Sequence, residues 1–565
     1  MNNDDSGRSD APAPVAGSRR WFVGRLTLLA FSLPAASALL AACGGGSSSP
    51  PTGTTVSSSS SSPSSQPSSS GTPSGTSAAA ATTTVKPKTG GTLTVAIASD
   101  IIGTDPQGAS AGIDRSIYTA LYNGLVAPAA NLGIVPDLAA KWETPDPQTY
   151  VFTLQPNVKF HDGTACDATA VKFNFDWILD PKNASARASE IADLQSVTVV
   201  DPQTVKFSLK DVFAPFLSII SDRAGYILSP DARNKYGKDL THHPVGTGPF
   251  QFVEWVKSDH LTLKKFDGYW QSGLPYLDQI IYRPITDSSV ALTNLKTNTI
   301  NFLDNINPSD IASIKSDSSL VYWEGLGVGY TGLWLNTATG PLANQSLRLA
   351  LSLAIDREAL LKVAYFGVGQ IAAGPIPPSS WAYDASYPVV KQDLTKAKQA
   401  LATGEKPNGF TMTLKTDTTP QGSKICQLIQ EQIKPVGIDA TIQTLDFGAL
   451  LNAGSAGDFD AMSLGWSGRV DPDGNIQPIF QVGGTFNYGK YKNTTVEQLI
   501  GQERTTSDQA SRIKIFQQLQ STINDDVAYI FTYFAPTIYA STPAVKGFKV
   551  TADGLMRFKE TWLQS

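Results

Sequence analysis

The stretch from Tyr150 to Pro181, YVFTLQPNVKFHDGTACDATAVKFNFDWILDP, constrains the fold more than any other in this chain. Tyr150, Phe152 and Leu154 alternate with polar positions, the pattern of a strand with one buried face. Val158 and Phe160 run into His161-Asp162-Gly163, where glycine tolerates the positive φ of a tight turn. Asp167 then stands at an N-cap position, its carboxylate placed to accept from the first free amides of a helix. That helix carries Val171, Phe175 and Ile178 on one stripe with Ala170, Phe173 and Trp177 beside it, and so wide an apolar surface has to be buried. Pro181 stops it. A strand, a turn and a capped helix assign no function by themselves.

At 565 residues the chain is long enough for more than one domain. A formal charge of −5 and the lack of a basic run in the body give no electrostatic footprint for nucleic acid. Four histidines and three cysteines leave little material for a metal site, and no cofactor is expected. Cys166 and Cys426 are expected as buried thiols, because a bridge would require their Cα atoms within about 7 Å. The adjacent His242 and His243 would point to opposite faces of a strand and so are not read as a metal pair.

The N-terminus is organised for export. Ser18-Arg19-Arg20-Trp21-Phe22-Val23 resembles a twin-arginine signal, and an apolar segment from Leu26 ends in Leu40-Ala41-Ala42-Cys43. A spanning helix needs about 20 apolar residues, and Arg25 and Pro34 shorten this one. Small residues before a cysteine look like a bacterial lipobox, so residues 1–42 are expected as a signal peptide with Cys43 lipidated. Residues 43–89 are dominated by Ser, Gly, Pro, Thr and Ala, which cannot bury a core and so read as a solvated tether.

The globular part begins near Gly90. Leu93, Val95 and Ile97 alternate as a strand, Ser288 to Lys296 reads as a helix, and Val197–Val200 with Val205–Leu209 reads as a hairpin. Phe410–Lys415, Gly422–Lys434 and Ile438–Thr444 give a β-α-β order, hence an α/β lobe with its own sheet. Arg512–Asp526 reads as a long helix and Val545–Phe548 as the start of a C-terminal strand. Pro244-Val245-Gly246-Thr247-Gly248-Pro249-Phe250 is a glycine-punctuated turn that lacks the Lys-Ser/Thr and following helix of a phosphate loop.

Four separate segments carry a family resemblance. They are V-K-F-x-D-G followed by A-x-x-V-K-F-N (Val158 to Asn174), the Pro244–Phe250 turn before Glu254-Trp255 and Gly268-Tyr269-Trp270, GYTGLWLN (Gly329 to Asn336), and the helix pair in LRLALSLAIDREALLKVAYFG (Leu347 to Gly367). In that order they resemble the family 5 extracytoplasmic solute-binding proteins of peptide, nickel and opine ABC importers. The resemblance implies an α/β, two-lobed periplasmic-binding-protein-like fold of the large dipeptide-binding type, hinged on two crossing segments. The implied lobes are 90–327 with a return at 535–565, and 328–534. It implies a monomer that captures a small-molecule solute and passes it to the permease and ATPase subunits of an importer, outside the cytoplasm and held to the membrane through its lipid.

The resemblance also locates a site, and the sequence departs from it there. In Ala461–Phe480, AMSLGWSGRVDPDGNIQPIF, the G-W-x-G and D-P-D parts match the family's cleft strand and loop. Dipeptide-binding members carry an acidic residue after G-W-x-G for the ligand's ammonium; here that place holds Arg469, which favours a carboxylate. Alternatively Arg469 pairs with Asp471 or Asp473 or faces solvent. Thr416 and Thr418 stand where those members hold the peptide carboxylate with Arg and Tyr. Trp466 is the expected aromatic floor of the cleft, with Ser467, Ser110, Gly112 and Tyr330 as further candidates. The rival readings are a secreted carboxylate-dependent hydrolase and a ligand sensor or chaperone on the same fold. No H-E-x-x-H occurs, and all four histidines lie between 161 and 260.

Overall fold

The computed structural model describes residues 86–108, 112–129, 132–304 and 306–564. The signal peptide, Cys43, most of the tether and Ser110 lie outside the described residues.

Alternation at Leu93, Val95 and Ile97 does what it predicts: all three are buried in the strand Thr92–Ile97, the middle of a seven-stranded sheet. This strand runs parallel to Gln279–Pro284 on one side and to Phe302–Leu303 on the other. The sheet continues outward through His260–Lys265 and Phe250–Val256, and in the other direction through Pro536–Ser541 and Val321–Leu326. The turn before Phe250 is packed against the end of the helix Gly112–Leu121. A Cβ on Gly248 would fall 2.4 Å from the carbonyl carbon of Leu121, so only glycine fits there.

The second sheet has six strands, in the order Gln370–Ile371, Tyr529–Phe534, Thr331–Leu335, Ala461–Ser463, Phe410–Asp417 and Ile438–Leu445. The last three are mutually parallel. The helix Pro420–Ile433 packs Ile425, Cys426, Ile429 and Ile433 into the core on this sheet. The chain passes from the first sheet to the second between Leu326 and Thr331, and returns between Phe534 and Pro536.

The Tyr150 stretch builds a third unit, which its motif alone did not separate from the first sheet. Thr149–Leu154 pairs with Ala139–Asp146 and Thr204–Leu209 in a four-stranded antiparallel sheet completed by Leu194–Asp201. Asp167 caps the helix Ala168–Leu179 by accepting from the N–H groups of Thr169 and Ala170. Val171, Phe175 and Ile178 are buried beneath it against Phe152 and Phe207. Trp177 stays half-buried, with the Arg233 guanidinium 4.0 Å above its ring.

Two local expectations need correction. His242 and His243 do not lie on a strand: His242 ends the short 3₁₀ helix Gly237–His242, and both rings reach the one carboxylate of Asp239, at 2.9 and 3.4 Å. The C-terminal strand is only Val545–Lys546, paired with Trp562–Leu563. Phe548 leaves it to place its ring 4.7 Å from Phe302 in the core of the first sheet.

Candidate functional site

In open parallel sheets, ligands sit beyond the carboxyl ends of the strands, where successive loops diverge. Here those ends of both sheets face the crossing segments. A cavity of about 330 Å³ opens there, lined by Gly329, Trp466, Ser467, Thr537, Ala552 and Asp553 among others. Its floor is made by backbone pairing: Tyr330 N–H donates to Trp466 O at 3.0 Å and Trp466 N–H to Tyr330 O at 2.7 Å. Gly468 turns with φ +77°, and a Cβ there would lie 2.2 Å from the Val328 carbonyl, so the loop can close over the crossing segment only with glycine.

Trp466 is half-buried at this floor. Its indole N–H reaches the Gly474 carbonyl (3.1 Å) and the Asn475 side-chain oxygen (3.2 Å), and its ring lies 5.1 Å from Phe486. Asn475 also accepts from the Arg469 main chain (2.9 Å) and donates to Val328 O (3.1 Å), so one buried amide ties the cleft loop to the crossing segment.

The Arg469 guanidinium rests 4.8 Å from the centre of the Trp466 ring and donates to Ser467 Oγ and Gly468 O. It does not pair with the two aspartates that follow it. Asp471 is taken bidentately by Arg512 (3.0 and 2.8 Å), and Asp473 lies 3.5 Å from Arg504. Burial, then the like charges of Arg115 and Arg223, pull the Arg469 pKa down to about 10, only partly offset by Asp222 and Glu190. These four residues belong to the first sheet's half of the molecule, so Arg469 faces charges across the cleft.

Sequence reasoning missed that opposing wall. Arg115, from the helix Gly112–Leu121, binds Asp222 through Nε (3.3 Å) and Nη2 (2.8 Å). Arg187 meets Glu190 at 2.5 Å, with Arg223 at 3.8 Å from the same carboxylate. Arg557 holds Asp553 at the cavity edge. Burial disfavours the Asp222 charge, but Arg115, Arg223 and, across the cleft, Arg469 outweigh it and keep its pKa low. Five guanidinium groups thus meet three carboxylates, an excess of two positive charges at ordinary pH. Arg115 and Asp222 stand 107 residues apart, so no local pattern announces that pair, and although Arg187–Glu190 and Arg557–Asp553 are i,i+3 and i,i+4 pairs, their place on this wall is set by the fold.

The remaining candidates fall differently. Ser467 is exposed on the cavity wall. Gly112 opens its helix with nothing within 4 Å of where a Cβ would be. The Tyr330 ring is buried in the second lobe's core, its hydroxyl donating to Asn475 O at 3.0 Å, and the cavity is lined near it by its backbone segment. Thr416 is buried beside Cys426, whereas Thr418 is exposed in the loop ahead of the helix Pro420–Ile433. Cys166 and Cys426 are both free and buried. Among the described residues, no group of three or more His, Cys, Asp or Glu is placed to hold a metal ion, and no helix is long and apolar enough to cross a membrane.

The match to known proteins is extensive. Residues 133–487 fit the family described as bacterial extracellular solute-binding proteins, family 5, middle. The glutathione-binding protein GsiB of Salmonella paratyphi A is 31% identical over 84% of this chain and 94% of its own length. GsiB of Pectobacterium atrosepticum is 30% identical over 82% and 93%. Among solved structures, DppA of Helicobacter pylori in complex with the peptide STSA superposes with a TM-score of 0.75 at 28% identity, covering 85% of this chain and 99% of that one. AppA of Bacillus subtilis, in complex with a nonapeptide, gives 0.72 at 26% identity over 85% and 100%. With two α/β lobes joined by two crossings, a polar cleft at the carboxyl ends of their parallel strands and this likeness along most of its length, the chain belongs to family 5 of the bacterial extracellular solute-binding proteins, the capture components of ABC importers.

Proposed function

We propose that this protein captures a small peptide-like solute bearing free carboxylates, with glutathione the first candidate, and releases it unchanged to a permease. The observation that carries the reading is Arg469 held on Trp466, at a cost from burial and from the arginines opposite. An anion entering the cleft relieves that cost and contributes charge-assisted, bidentate hydrogen bonds. The relatives named for glutathione agree in chemistry, since that tripeptide carries two carboxylates and one ammonium. Ligand contact with both lobes favours the closed form, the form a permease can recognise. Cys43, as a lipidated N-terminus, moors the protein outside the cytoplasm, and the Ser/Gly/Pro tether gives it reach.

Thermal-shift and calorimetric titrations with glutathione, opines, dicarboxylic acids and neutral sugars test this. Saturation at about 100 Kd is expected to add about 2.7 kcal/mol of stability with the solute recovered intact. Preferential binding of neutral or cationic solutes, unaffected by Arg469→Ala, would defeat the carboxylate reading. Consumption of the solute would favour the hydrolase.

A further inference from the structure

A second cavity, of about 360 Å³, adjoins the first: Pro536, Thr537 and Gly554 line both. It too lies beyond the carboxyl ends of parallel strands. Asp304 follows Phe302–Leu303 in the first lobe, and Gln421 stands in the first turn of the helix that follows Phe410–Asp417 in the second. Tyr365, at the end of the helix Arg357–Tyr365, completes the wall from the second lobe. Two lobes therefore meet around this space as they do around Trp466.

Asp304 is the unusual group here. Its Oδ1 is buried and has no hydrogen-bond partner among the described residues. Burial pushes its pKa up to about 7, and the groups that steady the charge are main-chain N–H groups, of Ala98 and of Asp304 itself, with no cationic side chain. A buried carboxyl with an unused acceptor costs free energy unless something pairs with it. The cleft thus has an excess of guanidinium groups at one end and a cation-poor carboxyl at the other.

We propose that Asp304 receives the ammonium of the solute, so that an elongated zwitterion lies with its carboxylate at Arg469 and its ammonium in the second cavity. This rests on the carboxylate reading above and adds a second, independent contact to it. The polarity is opposite to that implied by resemblance to dipeptide binders, where the acid stands after G-W-x-G. An isosteric change separates the two contacts, because Asp304→Asn keeps the shape but replaces the carboxylate with a neutral amide, one acceptor oxygen giving way to an N–H donor.

The test is calorimetric titration of the full mature chain with glutathione and with N-acetylglutathione, which keeps both carboxylates and the thiol but lacks the ammonium. Wild type is expected to bind glutathione about 30-fold or more tightly than the acetylated compound. Asp304→Asn is expected to abolish that preference by weakening glutathione alone, with an unchanged or higher melting temperature. Arg469→Ala is expected to weaken both compounds. If wild type binds both equally, or if Asp304→Asn keeps the preference, the assignment of Asp304 is overturned while the carboxylate reading stands. If Arg469→Ala changes neither affinity, or wild type binds neither compound, the carboxylate reading fails and the orientation falls with it.

Discussion

Arg469 and Arg512 belong to the same lobe, both lie within reach of the D-P-D loop, and their electrostatic situations are opposite. Arg512 is nearly inaccessible and completely engaged: two bonds to Asp471, with Glu503 taken through Nη2 at 2.7 Å and Nε at 3.3 Å. Burial opposes its charge, yet the two carboxylates outweigh burial and push its pKa above the ordinary value. Arg469 has a hydroxyl, a carbonyl and an aromatic face, no carboxylate within pairing distance among the described residues, and a lowered pKa. The same side chain can therefore be scaffold or bait. What decides is whether the protein itself supplies the anion.

Removing the scaffold arginine is expected to have the largest effect. Arg512→Met leaves Asp471 and Glu503 buried without their cation, which is expected to cost about 3–5 kcal/mol of unfolding free energy in urea titrations. A loss below about 1 kcal/mol would mean that the network does not hold the loop. Arg469→Ala should behave in the reverse sense. Stability without solute is expected to stay level or rise slightly, since a strained charge is removed, while affinity for a carboxylate ligand falls by about 1.5–3 kcal/mol, or about 10- to 150-fold. A large drop in melting temperature with intact affinity would make Arg469 a second scaffold residue and erase the contrast.

The carboxylates behind the loop sharpen it further. Asp473 and Glu503 are buried together; burial raises Asp473 despite its hydrogen bond to Glu503, and burial with the Asp473 charge raises Glu503, so the pair retains a proton. A carboxyl whose folded pKa exceeds its unfolded value of about 4.5 contributes stability that is fully present below that value and is lost as pH rises. Wild type is accordingly expected to lose up to about 1.4 kcal/mol per pH unit from this site above pH about 4.5. Glu503→Gln, which fixes a neutral partner, should flatten that slope in denaturation series across pH. An unaltered slope would show that the pair does not titrate as a unit.

How much of this was legible in the sequence follows from the range of the interactions. The Asp167 cap, the strand at Tyr150 and the helix at Ser288 depend on neighbours within a few residues, and periodicity exposes them. Trp466 and Arg469 were reachable through a motif, because their loop is bound by local glycine geometry and by Asn475 close behind it. That Asp471 was occupied was not legible, since its partner Arg512 stands 41 positions away on the helix Gln509–Asp525. Arg115 with Asp222, and the bare oxygen of Asp304, were hidden for the same reason: their surroundings come from loops brought together only by the sheet order. His242 and His243 misled because a pair read as strand residues sits at the end of a 3₁₀ turn.

Arg504 stands between the two kinds of arginine and supplies the smallest expected effect. It lies in the last turn of the helix Thr494–Thr505 in the second lobe, and its carbonyl accepts from Ala214 N–H of the first half at 2.8 Å. Its guanidinium lies 4.8 Å from the Phe213 ring, 3.9 Å from Asp193 on that same side, and 3.5 Å from Asp473 on its own. It thus connects the buried network to the rim where the two halves touch. The ion pair to Asp193 is partly solvated and long, which limits it to a few tenths of a kcal/mol, and the aromatic contact adds about 0.5–1 kcal/mol. The main-chain bond survives truncation of the side chain. Arg504→Ala is therefore expected to shift the open–closed balance by no more than about 1 kcal/mol, raising Kd up to about fivefold. Scattering or distance measurements across the cleft, with and without solute, should show a slightly larger open fraction and an unchanged closed form. A change as large as that of Arg469→Ala would place the energetic control of closure at the rim instead of at the cleft.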